Sequence, residues 1–160
     1  MRSYFLDSSA VAKLYLIEPG SKRVRDMVRS ARSSPSSTQV YICDLAHPEA
    51  ASALRQIADG PDASKRGIGS LERKTLPLAL ANDLHSGGVL IVGESSQVML
   101  AAAALVWKHR LKGADAVHLA AAMEFQALLP WGTEFYFVGA DKQQNAAAEA
   151  EGLEVIDPNV

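Results

Sequence analysis

The sequence predicts an α/β fold in three layers, a five-stranded parallel sheet with helices on both faces. Three observations carry this expectation. Five short apolar segments, three of them rich in aromatic and β-branched residues, have the composition of strands. Helical periodicities fill the intervals between them. Strands that alternate with helices form parallel sheets through right-handed crossovers. The 160 residues fit a single domain over 1–160, long enough to bury a substantial core.

Taken in order, the strands are expected at residues 2–6, 39–43, 89–92, 135–138 and 153–156. The stretch 9–16 has its apolar residues on one side, as in a helix, and 22–30 is amphipathic. Longer helical patterns cover 44–58 and 64–84. The Ala- and Leu-rich stretches 95–109 and 114–129 favour helix by intrinsic propensity. The last helix is expected over 142–151, closed by Gly152 at a C-cap position. Pro19-Gly20, the segment 33–37 and Gly60-Pro61 mark loops, none long enough to link two domains. The chain has no internal repeat and no low-complexity tract.

Hydrophobic residues make up 48% of the chain and charged residues 21%, values of a globular rather than a disordered protein. The single cysteine, Cys43, excludes an internal disulfide and any multi-cysteine zinc site. It is compatible with a reducing cytoplasm. The first apolar stretch ends at Asp7, too soon for a secretion signal. The longest apolar run, 98–107, is shorter than the roughly 20 residues of a membrane span and is expected to be a buried helix. A cytoplasmic protein without a membrane segment follows. Net charge is −2, from 16 basic and 18 acidic residues, whereas a nucleic-acid binder commonly carries a basic face. If four acids are pooled on a metal, 14 remain against 16 basic residues, and bound cations move the local field further positive. Net charge therefore neither supports nor excludes RNA.

The acids stand where this fold would build a site. In an open parallel sheet, ligands bind beyond the carboxyl ends of the strands, where strand order reverses. Asp7 directly follows the first strand, and Asp141 follows the fourth by three residues. If those strands are neighbours, the two carboxylates face each other. Asp115, at the start of a helix, can add a third, and Glu49, early in the helix after strand two, a fourth. Four carboxylates in a small volume raise one another's pKa values and destabilise the fold. A hard divalent cation with oxygen ligands relieves that repulsion and leaves room for phosphate oxygens. Each acid also has a purely structural reading. Asp7 and Asp141 can cap the helices that follow them, Asp115 favours the dipole of its own first turn, and Glu49 can be a solvated helix residue. Taken singly these readings prevail; the set points to a metal site.

Three stretches carry a specific resemblance. Tyr4-Phe5-Leu6-Asp7-Ser8-Ser9-Ala10, continuing through Lys13-Leu14-Tyr15 to Glu18-Pro19-Gly20-Ser21, resembles the start of PIN-domain nucleases, VapC-type toxins above all. Gly113-Ala114-Asp115-Ala116-Val117-His118-Leu119-Ala120 is similar to that family's third-acid segment, and Phe137-Val138-Gly139-Ala140-Asp141-Lys142 to its fourth. The resemblance spans nearly the whole chain in the right order. It implies a PIN-like sheet of order 3-2-1-4-5, endoribonuclease activity with Mg²⁺ or Mn²⁺, a homodimer, and neutralisation by a VapB-type antitoxin. By motif position it makes Asp7 and Asp115 core metal ligands, lets Glu49 and Asp141 complete the acidic set, and places Ser8 at the site's edge.

Two departures bear on the site. Gly139 stands where the family often has Ser or Thr, so a supporting hydroxyl is expected to be missing. Pro48 immediately precedes Glu49: it removes an early helix hydrogen bond if the helix starts at Asp44, and sits comfortably at the first helical position if His47 is the cap. His47, His85, His109 and His118 show no zinc-ligand spacing. His118 lies three residues after Asp115, within reach of a local contact, yet is expected to be packed or at the surface. Lys13, Arg55, Lys108, Arg110 and Lys112 are candidates for phosphate contacts or plain solvated side chains.

The expected activity is hydrolysis of RNA by a water that attacks a phosphodiester in line, with Asp7, Asp115 and Asp141 holding the cation and Glu49 orienting or deprotonating the water. The alternative is a catalytically silent PIN-like module that binds RNA or serves assembly. A phosphotransfer protein is disfavoured, because Asp7-Ser8-Ser9 supplies one acid where paired acids or Asp-x-Asp are needed, and no Gly-x-x-x-x-Gly-Lys loop is present.

Overall fold

The computed structural model describes residues 1–85 and 88–160. Five strands, β1 (Arg2–Leu6), β2 (Thr38–Cys43), β3 (Leu90–Val92), β4 (Glu134–Val138) and β5 (Glu154–Ile156), form one parallel sheet of order β3-β2-β1-β4-β5. The seven helices among the described residues are α1 (Ser8–Ala12), α2 (Ser21–Ser33), α3 (Ala46–Asp59), α4 (Ser70–His85), α5 (Ser96–His109), α6 (Gly113–Leu128) and α7 (Lys142–Ala150). They complete the three-layer α/β/α architecture expected from the alternation of elements.

The sheet is held by burial on both faces. Phe5, Leu6, Ile42, Cys43, Phe137 and Val138 are wholly buried, so the carboxyl halves of β1, β2 and β4 are continuous apolar runs, as central parallel strands require. Phe125 of α6 packs its ring against Tyr41 at 4.3 Å and Phe5 at 6.2 Å. The edge strands β3 and β5 have three residues each, which limits the unpaired backbone they present.

Several boundaries differ from expectation. The first helix ends at Ala12, and residues 13–15 form a turn. The pattern over 64–84 splits into a single 3₁₀ turn (Ser64–Arg66) and α4, because Gly67 takes a left-handed φ of 84° that interrupts the helix. Gly152, with φ 88°, follows α7 as expected. The run 98–107 is not a buried helix. Within it Val98, Ala102 and Leu105 face the core, while Met99, Leu100 and Trp107 are exposed, Trp107 at 88%. No described helix is long and apolar enough to cross a membrane.

Candidate active site

The strand order reverses between β1 and β4, and the crevice beyond their carboxyl ends collects the acids. Asp7 is the first residue past β1. Its backbone N–H donates to Val138 O of the neighbouring strand at 3.0 Å, and its side chain caps α1 by accepting from Ala10 N at 2.7 Å. Asp141 caps α7 in the same way, accepting from Gln144 N at 2.9 Å. The capping expected of both is therefore real, and it fixes the aim of each carboxylate. Asp115 lies in the first turn of α6, and Glu49 in the first turn of α3. Pro48 leaves Glu49 undisturbed. The cap is Leu45, so Pro48 is the third helical residue, where a backbone N–H has no partner within the helix anyway. Glu49 N makes the first bond, to Leu45 O at 3.3 Å.

The four acids share one electrostatic neighbourhood with Asp115 at its centre. Burial raises the Asp115 pKa, and the charges of Asp141 and Glu49 raise it further. Asp7, only 3% exposed, is pushed up to about 6 by desolvation, against the hydrogen bonds from Ala10 and Ser9. Glu49 is held below the ordinary carboxylate range by its hydrogen bond with His118, despite partial burial. Two side chains favour the ionised form of these acids. Lys112 favours the ionised forms of Glu49 and Asp115. His118, wholly buried, donates from Nε2 to Glu49 Oε2 at 2.6 Å.

Four participants were not foreseen. His118 is packed, one of the two placements expected, but with both nitrogens bonded: its Nδ1 lies 3.0 Å from Cys43 Sγ while Nε2 holds Glu49. The three-residue spacing from Asp115 was the one sequence signal for it. Ser9 supplies the hydroxyl that Gly139 lacks. Its Oγ donates to the Asp7 carboxylate, 2.8 and 2.9 Å from its two oxygens, and accepts from Ala140 N at 3.0 Å. The supporting hydroxyl expected to be missing is thus provided from the other side of the crevice. Gly139 leaves room there, since a Cβ would lie 3.1 Å from Asp7 Oδ2 and 2.9 Å from Asn145 Oδ1 and one of them would have to shift. The remaining two are Gln144 and Asn145. Gln144 Nε2 donates to Asp115 O at 3.0 Å, and Asn145 Nδ2 to Gly139 O at 2.8 Å. Their other amide atoms, Gln144 Oε1 and Asn145 Oδ1, are buried without a partner. Ser8, the first residue of α1, helps to lower the Glu49 pKa.

The donors are of the oxygen type that a hard divalent cation takes: carboxylates whose charges raise one another's pKa, with Asn145 Oδ1, buried without a hydrogen-bond donor, beside Asp7 at Gly139. No three His, Cys, Asp or Glu side chains among the described residues converge closely enough to ligate one ion as they stand, and like charges without a cation oppose such convergence. Lys13 is excluded as a phosphate contact. It is buried, donating to Glu18 Oε1 at 2.7 Å and to Pro19 O at 2.9 Å. No family model matches the chain, and no curated protein matches its sequence.

Proposed function

We propose that this protein is a divalent-cation-dependent endoribonuclease, a hydrolase acting at the crevice between β1 and β4, and that it is the toxin of a toxin–antitoxin pair. The observation that carries the reading is the placement of Asp7 and Asp141 after β1 and β4, the two strands at the switch of strand order, with Asp115 close enough in charge to raise the pKa of Asp7 and to have its own raised by Asp141 and Glu49. Asp7, Asp115 and Asp141 would hold Mg²⁺ or Mn²⁺, with Glu49 beside them. Once bound, the cation supplies a more acidic water and charge neutralisation for the phosphodiester. Glu49, ionised and oriented by His118, accepts the proton of the attacking water. Ser9 holds the Asp7 carboxylate in place, and Lys112 adds positive charge for an RNA phosphate.

Purified protein incubated with a mixed RNA pool and Mn²⁺ tests this, with an EDTA control and the Asp115→Asn variant. Cleavage that needs both the metal and Asp115 supports the reading. Full activity of a folded Asp115→Asn variant overturns it. A second reading, a catalytically silent module of the same fold, is favoured by the lack of three side chains converged on one point. It predicts no saturable Mn²⁺ uptake by wild-type protein.

The partners proposed from the resemblance are a VapB-type antitoxin and a second copy of this chain, in the cytoplasm. An antitoxin arginine suits the acidic crevice, because a guanidinium matches carboxylates with a rigid fork of donors. An apolar cleft of about 310 Å³ between α3 and α4, lined by Ala51, Leu54, Ala58, Leu76, Pro77 and Leu80, is available to an apolar segment of such a partner. The exposed Met99, Leu100 and Trp107 on α5 supply apolar surface for self-association. Light scattering across a concentration series reads the dimer directly, and a constant monomer mass removes it.

A further inference from the structure

We propose that His118 is a positioning residue: buried between Cys43 and Glu49, it holds the Glu49 carboxylate at the acidic site. The proposal rests on the nuclease reading for its purpose, though not for its geometry.

The ring joins three elements. His118 lies on α6, Cys43 ends β2, and Glu49 lies in the first turn of α3. Only the two residues Asp44 and Leu45 connect β2 to α3, so the ring spans both sides of that short connection. Both nitrogens are committed, Nδ1 at 3.0 Å from Cys43 Sγ and Nε2 at 2.6 Å from Glu49 Oε2. With both committed and no exposure to solvent, the ring is not available as a metal ligand. An unpaired glutamate in the first turn of a helix samples several rotamers, and ordering it costs side-chain entropy. Glu49 retains 30% of its side-chain exposure, so one oxygen is tied to a buried donor while the group still faces the crevice. Cys43 in turn fixes the ring plane. A buried histidine that merely filled space would have no need of two partners in line. Desolvation opposes a charged ring here, and hydrogen bonds with Cys43 and Glu49 outweigh it, raising His118 to about 10. The geometry stands without that shift, because Nε2 carries its proton toward Glu49 in the neutral ring as well.

The amide isosteres separate positioning from packing. A glutamine amide nitrogen falls near the place of Nε2, and an asparagine amide nitrogen near that of Nδ1. Wild type, His118→Gln, His118→Asn, Glu49→Gln and the His118→Asn/Glu49→Gln double variant are titrated with Mn²⁺ alone by calorimetry. Their thermal unfolding is followed in EDTA. His118→Gln is expected to keep Mn²⁺ affinity within about threefold, while His118→Asn loses about 10- to 100-fold, the range for outer-shell partners of metal ligands. The double variant is expected to lose no more than Glu49→Gln alone, since the two groups act as one unit. Equal losses for the Gln and Asn variants, in proportion to their losses of stability, overturn the proposal in favour of packing. Unchanged affinity in both overturns it as well. The histidine ¹⁵N spectrum needs no variant at His118. The Nε2 resonance is expected to move in Glu49→Gln, and an unmoved resonance overturns the contact. Wild-type protein that takes up no Mn²⁺ overturns the nuclease reading and with it the purpose of the clamp, whereas the Nε2 resonance still decides whether the clamp exists.

Discussion

Replacing Asp7 by Asn should stabilise the metal-free protein near neutral pH. Asp7 is 3% exposed, and desolvation pushes its pKa from 3.8 up to about 6. A carboxyl whose pKa is raised by folding binds its proton more tightly in the folded state, so stability falls as pH rises between about 4 and 6. Above that window, holding the carboxylate ionised costs about 3 kcal/mol relative to the unfolded chain. Asparagine carries no charge and is an equally good helix cap. Its single oxygen keeps the bond from Ala10 N and loses part of the Ser9 contact, at about 1 kcal/mol. The net gain is about 2 kcal/mol, which for a domain of this size raises Tm by about 4–8 °C. The assay is thermal unfolding of wild type and variant in EDTA, near pH 7 and near pH 5. The gain should fall below about 1 kcal/mol near pH 5, where the wild-type carboxyl is largely protonated. Adding Mn²⁺ should then stabilise wild type alone, since a ligand bound only by the folded state raises its stability. A variant less stable than wild type near pH 7, or a gain that does not change with pH, refutes the reasoning.

Three further outcomes are expected. Gly139→Ser places a Cβ 2.9 Å from Asn145 Oδ1 and 3.1 Å from Asp7 Oδ2, and chemical denaturation should report a loss of about 1–3 kcal/mol from overpacking. Ser9→Ala removes the hydroxyl bonded to Asp7 and Ala140; it should cost about 1–3 kcal/mol and shift the midpoint of Mn²⁺ uptake to higher pH, as the Asp7 carboxyl rises above about 6. His118, whose folded pKa of about 10 exceeds its ordinary 6.5, contributes stability that is fully present below about 6.5 and is lost as pH rises through about 10; His118→Asn should flatten the alkaline limb of the stability profile, and an unchanged limb removes the assignment.

The readings of the site that failed share one cause. The missing hydroxyl was inferred from position 139 alone, whereas Ser9 reaches Asp7 from the first turn of α1. Lys13 was expected to contact phosphate or to be solvated, whereas Glu18 and Pro19 fold back over it. Pro48 was weighed against a helix start at Asp44 and a cap at His47, whereas the cap is Leu45 and the helix begins at Ala46. Each depends on how a neighbouring segment returns through space, and local propensity carries no information about that.

What the sequence determined by itself was the order of elements and the chemistry at their ends. Burial on both faces demands continuous apolar strands, and a cap demands a short acceptor side chain before a helix, so the strand segments and the positions of Asp7 and Asp141 follow from local chemistry. What only the tertiary structure decided was how those ends meet. The pairing of β1 with β4 sets Asp7 beside Gly139 and Asn145. The packing of α6 brings His118 between Cys43 and Glu49, which lie 75 and 69 residues away in the chain. The exposure of Trp107 likewise depends on which face of α5 meets the core. Hydrogen bonds and charge act over a few ångströms, and strand pairing and helix packing decide which distant residues come within that range.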